Sequence, residues 1–206
     1  MRLHLAHAVV LILAQFAPRN VSYEILPTLA AGQEVSVLDR YAYAPYVELE
    51  SPLYRAIINR ETRCCVWIQF VVRAEDVEAD NDTNRNWWCP PELREFTLQA
   101  DDYRNSGWDR GHLRSIQMSR GSAHWQDVNC VAVIVPESPA LNRGDIVELE
   151  NEICELATLH GWCRVTITLT GDIADLPGVA CQVPETIHYV VESPVGRTES
   201  RFRNGE

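Results

Sequence analysis

The feature that most constrains the fold is a helical stripe near the middle of the chain. Ile146, Leu149, Ile153, Leu156 and His160 step by three, four, three and four residues, and Gly161 follows as a natural stop. Such a helix buries one face and needs a partner layer to cover it. The flanking segments supply one. Cys64 to Val72 is rich in β-branched and aromatic residues and too continuous for a one-sided surface strand, so it reads as a central strand. Val128 to Val135 reads as a second buried strand ending at Pro136, with a loop from Glu137 to Arg143 leading into the helix. Arg164 to Thr170 and the weaker Ile187 to Val191 follow as further strands. The expected class is α+β, a mostly antiparallel central sheet with helices packed on it.

With 206 residues there is room for one domain with a sizeable core. Met1 to Ala17 carries an early Arg2 and a short apolar run, as in the core of a secretory signal peptide; a mitochondrial presequence or short anchor are the alternatives. The expected organisation is a signal at 1–17, an arm at 18–52, the main domain at 53–193 and a loose polar tail at 194–206. Glu75 to Asp82 reads as a solvated acidic loop.

The formal net charge of −11 disfavours a polyanionic ligand, but the distribution is uneven. Between Tyr103 and Gly121 the chain carries Arg104, Arg110, Arg114 and Arg120 against a single acid, Asp109. All cations in the chain are arginines, which suit bidentate phosphate contacts. The seven cysteines contain no C-x-x-C pair, which disfavours a zinc knuckle and leaves both a partly disulfide-bonded and a reduced protein open.

Within that basic stretch lies Asp109-Arg110-Gly111-His112: an arginine that can grip phosphate, a glycine that permits close approach, and an imidazole able to take a proton. Asn142 follows thirty residues later and Glu150 eight after that. One base, one neutral oxygen ligand and one carboxylate suffice to hold a single Mg2+ beside a phosphodiester. The order strand, loop, strand, loop, helix places His112 on a strand and sets Asn142 and Glu150 on the helix side facing it. Upstream, Arg85-Asn86-Trp87 adds another phosphate-gripping arginine, with packed aromatics as the plainer explanation. Taken singly, His112 is a turn residue, Asn142 a helix N-cap and Glu150 a solvated glutamate; only together do they make a site.

With these residues in place the chain resembles the DNA/RNA non-specific endonuclease family, the ββα-metal or His-Me finger nucleases that include endonuclease G-like proteins. The D-R-G-H motif stands unaltered at Asp109 to His112, the N-(x)7-E motif runs from Asn142 to Glu150, and the R-N-W found in some members is Arg85 to Trp87. The resemblance covers about residues 60 to 192. It implies a ββα-metal fold and a phosphodiester hydrolase acting on DNA and RNA with little sequence preference. His112 would be the general base, Asn142 a direct Mg2+ ligand with Mn2+ as a substitute, Glu150 a holder of the metal's waters, and Arg85 and Arg110 the phosphate contacts. The leader-like segment at 1–17 leads us to expect secretion, with a mitochondrial location as the alternative and no stable membrane association once it is removed; a homodimer is allowed.

The sequence departs from the family pattern in places. Leu113-Arg114-Ser115 lacks the usual proline, the usual P-Q is Pro136-Glu137, and the helix tryptophan is Ile146. An arginine that some members carry one turn after the glutamate is Cys154 here. The alternative these departures support is a catalytically impaired nuclease-like domain that binds nucleic acid or protein. A disulfide-stapled interaction domain is the other rival.

Overall fold

A computed structural model describes residues 22–25, 45–77 and 85–205. The expected signal segment, and the acidic loop beyond residue 77, lie outside the described residues. Seven antiparallel strands form the main sheet in the order β1-β2-β3-β4-β7-β10-β11. Strands β1 (Ser22–Ile25), β2 (Tyr46–Ser51), β3 (Tyr54–Asn59) and β4 (Cys64–Arg73) form a meander. The chain then makes a long excursion before returning as β7 (Trp162–Thr170), which pairs with β4. Strand β10 (Thr186–Ser193) lies against β7 and β11 (Gly196–Arg203) closes the edge.

Alternation along these strands decides which face the excursion covers. Ile68, Phe70, Val72, Val165, Ile167, Ile187, Tyr189 and Val191 are buried on one face. The opposite face carries the half-buried Gln69, Thr166, Thr168 and His188, with Gln69 Nε2 donating to Thr166 Oγ1 at 3.0 Å. The excursion holds a short helix α1 (Ala74–Val77) and the two-stranded pair β5 (Asp109–His112) and β6 (Ile134–Glu137). It ends in helices α2 (Pro139–Arg143) and α3 (Asp145–His160). A further pair, β8 (Ala174–Leu176) with β9 (Val179–Val183), covers Leu98, Tyr103 and Ile134 in a satellite cluster.

The helix and β4 stand where the periodicity placed them. The buried stripe of α3 is Ile146, Leu149, Ile153 and Ala157 with Cys154, while His160 is exposed at the C-terminal end. Four expectations are corrected. Val128 to Val133 is mostly tight turns, with Cys130 N–H donating to Asp127 O and Val133 N–H to Cys130 O; only Ile134 onward is strand. An apolar run buried on all sides carries no period to tell these apart. Glu137 to Arg143 is not an open loop, because Ser138 caps a five-residue helix through Leu141 N–H at 3.4 Å. The expected arm contributes β1 and β2 to the sheet, and the expected loose tail is β11, whose Phe202 packs on Tyr189 at 5.9 Å between ring centroids.

The fourth correction concerns the acidic segment and the basic stretch together. Asp76 is buried, and its carboxylate meets Arg114, whose side chain is 1% exposed. The Arg114 guanidinium donates to Leu53 O, Val71 O, Met118 O, Ser119 Oγ and Asp76 Oδ2 at 2.7 to 3.3 Å. Burial lowers its pKa to about 10, so it stays charged. One of the four arginines counted as a basic surface is therefore an internal clamp. It ties the segment after His112 to the ends of β3 and β4.

Candidate active site

Strand β5 lies antiparallel to β6 with His112 opposite Ile134, Gly111 opposite Val135 and Asp109 opposite Glu137. Helices α2 and α3 follow β6 directly, so a short path joins the strand of the histidine to the helices of the asparagine and glutamate. Arg85, Arg110, His112, Asn142 and Glu150 all line one cleft of about 570 Å³, together with Trp87, Asp109 and Arg120. The five residues singled out in the sequence are thus brought together.

His112 Nε2 lies 3.1 Å from Asn129 Oδ1. With the ring proton on Nε2, the imidazole donates to this amide oxygen and Nδ1 keeps its lone pair. The Trp87 ring tilts 30° against the imidazole at 5.3 Å between centroids. Burial, with some repulsion from Arg85 and against the pull of Asn129, lowers the His112 pKa to about 4. The imidazole is neutral at physiological pH, as a proton acceptor must be.

Asn142 sits in the last turn of α2, its backbone N–H on Ser138 O at 2.9 Å. Gly144 then breaks the helix at φ −115° and ψ −105°, so asparagine and glutamate lie on two helices. A Cβ there would come within 2.7 Å of Ala140 O, which explains a glycine at the kink. The Asn142 Nδ2 donates to Asp109 Oδ2 at 3.0 Å. Asp109 also takes two contacts of 2.7 Å from the exposed Arg143. Asp109 is thereby spent on positioning, its carboxyl held below the usual range chiefly by Arg143. With its amide nitrogen tied, Asn142 has its oxygen left to face a ligand.

Glu150 projects from α3 into the cleft, and burial raises its pKa to about 7 against a smaller lowering by Ser115. Arg110 runs between Trp87 at 5.6 Å and Tyr103 at 5.8 Å from its guanidinium carbon, and its Nε donates to Ala100 O at 2.9 Å. Arg85 is exposed at the rim. The R-N-W segment is anchored beside Asn129: Trp88 N–H donates to Asn129 O at 3.3 Å and Val131 N–H to Trp88 O at 2.9 Å. Backbone pairing and packing account for the tryptophans of this segment, while Arg85 stands exposed on the cleft lining.

Two residues escaped the sequence reading. Asn129 lies seventeen positions from the histidine it orients, with no local signal. Glu137 is fully buried, with neither carboxylate oxygen partnered among the described residues. Burial, then the charges of Glu150 and Asp109, push its carboxyl well above the usual carboxylate range. It lies over Gly111, where an added Cβ would fall 2.1 Å from Glu137 Cδ. The glycine of D-R-G-H is required by this side chain. An acid closing the apolar run Val133 to Pro136 was the one available signal.

No group of three or more His, Cys, Asp or Glu able to hold a metal occurs among the described residues. The cleft instead offers one amide oxygen and one carboxylate. That sparse oxygen set fits Mg2+, which keeps most of its waters, and does not fit zinc. All seven cysteines are free thiols and none lines the cleft.

A model of the DNA/RNA non-specific endonuclease family matches residues 42–205. A protein named "Nuclease" from Serratia marcescens is 29% identical over 130 residues, covering 58% of this chain and 48% of that protein, so the chain spans about half the length of that relative. Among solved structures, one described as the EndoG/EndoGI complex, with the mechanism of EndoG inhibition, aligns at a TM-score of 0.65 and 20% identity. That alignment covers 76% of this chain and 74% of the other, and establishes a shared ββα-metal fold. On the extent of the family match, the chain belongs to the DNA/RNA non-specific endonuclease family.

Proposed function

We propose that the protein is a metal-dependent endonuclease that hydrolyses DNA and RNA phosphodiesters with little sequence preference. The observation that carries this is the convergence of a neutral imidazole, an oriented amide oxygen and a half-buried carboxyl group on one arginine-lined cleft. Asn142 Oδ1 would hold Mg2+, or Mn2+ in its place, and Glu150 would hold the metal's waters. A bound divalent ion supplies charge stabilisation for the leaving oxygen and the phosphorane. His112 accepts the proton of the attacking water, and Asn129, 3.1 Å from Nε2, holds the ring in place. Arg110 is held by two aromatic faces and the Ala100 carbonyl, so it meets a phosphate oxygen without reorganising; Arg85 approaches from the rim.

The cleft also answers the charge objection. Arg85, Arg110, Arg120 and Arg143 line it against Asp109 and Glu150. An acidic molecule thus presents a locally basic opening to a polyanion. For location we propose secretion, with mitochondria as the alternative; no helix among the described residues is long and apolar enough to cross a membrane.

A plasmid-nicking assay with Mg2+, then with chelator, then with His112→Ala tests the reading. Cutting that needs the metal and is lost with the imidazole supports it. The rival is a binding domain with an impaired site, favoured by the buried Cys154 one turn after Glu150. It predicts nucleic-acid retention with no nicking in any arm.

A further inference from the structure

Asn204, directly after the edge strand β11, has no counterpart in the motifs that define the site. It is 3% exposed although it follows an edge strand whose own residues are mostly exposed. Its side chain is saturated. Oδ1 accepts the Ser138 backbone N–H at 2.8 Å, and Nδ2 donates to Pro136 O at 2.8 Å and Pro184 O at 2.9 Å. Its own backbone N–H donates to Glu185 O at 2.8 Å.

Two of these contacts flank Glu137 and fall at the junction of β6 and α2, where the backbone needs outside help. Ser138 is the N-cap residue and is buried, so its N–H has no helical partner and no water to replace one. From Ser138 the path to the site is short. Ser138 O accepts the backbone N–H of Asn142, and the Asn142 amide is held at its other end by Asp109. We propose that Asn204 is a positioning residue: it fixes the start of α2, and through it the placement of the Asn142 amide oxygen toward a divalent cation. This rests on the reading of Asn142 as the metal-holding residue. It gives the terminal strand a purpose in the site as well as in the sheet, because β11 delivers Asn204 to the far side of the β6 to α2 corner.

The test compares wild type, Asn204→Ala and a control, Val191→Ala, which makes a buried void under β10 without touching the α2 corner. Mn2+ is titrated into metal-free protein and the free ion read by EPR. Separately, the side-chain amide cross-peak of Asn142 is followed by NMR without metal. The expected result is a roughly ten- to hundredfold weaker Mn2+ affinity and a displaced Asn142 cross-peak in Asn204→Ala, with neither change in the control. Should the alanine variant not fold, Asn204→Ser keeps a hydroxyl too short to span the three partners and serves in its place. Unchanged affinity with an unmoved cross-peak overturns the proposal, as does an equal loss in Val191→Ala. If wild type binds no Mn2+, the metal reading of the cleft falls, and the cross-peak alone decides whether Asn204 positions Asn142.

Discussion

Glu150 is where stability and function conflict, and Glu150→Gln exposes the conflict. Burial raises the carboxyl from 4.5 to about 7. At ~1.4 kcal/mol per pH unit the ionised form costs roughly 3 kcal/mol, trimmed to about 2 to 3 because the cleft is part open to water. The sign follows from proton counting: between pH 4.5 and about 7 the folded chain keeps a proton that the unfolded chain has released. Raising pH through that window therefore destabilises wild type, while the amide pays nothing. Urea unfolding in chelator should find the two proteins close at pH 4.5 and Glu150→Gln more stable by about 2 kcal/mol at pH 8. The slope against urea should be unchanged. Saturating Mg2+ at pH 8 should then stabilise wild type more than the variant and narrow the gap. A gap independent of pH would refute the burial argument, and one that magnesium leaves untouched would refute Glu150's link to the metal.

The acid arm of kcat/KM should shift toward 7, the metal-free value for Glu150, as Mg2+ is made limiting, and this shift should be absent in Glu150→Gln; His112, at about 4, should set no limit above pH 5. Because the His112 pKa is depressed, its contribution to stability is present above about 6.5 and is lost as pH falls toward 4, a loss that His112→Ala should remove in acid unfolding curves. Gly111→Ala should cost about 1 to 3 kcal/mol or more from overlap with Glu137, and Glu137→Ala in the same chain should recover part of it, read as a coupling energy from urea midpoints. Arg114→Met strands Asp76 and four other acceptors and should cost about 3 to 5 kcal/mol in the same assay. Asp109→Asn releases both Arg143 and Asn142, and should raise the Mg2+ needed for half-maximal cutting roughly tenfold or more.

What the sequence disclosed follows from what its signals encode. The α3 stripe and the β4 run are local patterns with a length and a period, and both elements stand where those patterns put them. The Val128 to Val135 run misled because it is buried on every side, so hydrophobicity carried no direction and tight turns satisfied its backbone instead. Strand β11 reads as a tail because an edge strand with one exposed face keeps its arginines and glutamate in water, and only Phe202 marks its inner side. Arg114 and Asp76 show the same limit for charge: composition counts them as surface, and only the fold pairs them inside.

The site divides along the same line. His112, Asn142 and Glu150 belong to spaced motifs, so each is visible from the chain alone. The residues that hold them are remote partners with no fixed spacing: Asn129 bonds the His112 ring, Asp109 holds the Asn142 amide, and Glu137 dictates a glycine beside His112. A reacting side chain has few substitutes, since proton transfer and metal binding demand particular atoms. A supporting contact demands only a donor or acceptor in the right place, which several residue types at several positions can provide. One departure from the family pattern, Glu137, falls in this second group. Glu137 in place of glutamine keeps a side chain of the same shape over Gly111, and its carboxyl is pushed up by burial and by the charges of Glu150 and Asp109, so this departure makes the supporting residue sensitive to the ionisation of the site it backs.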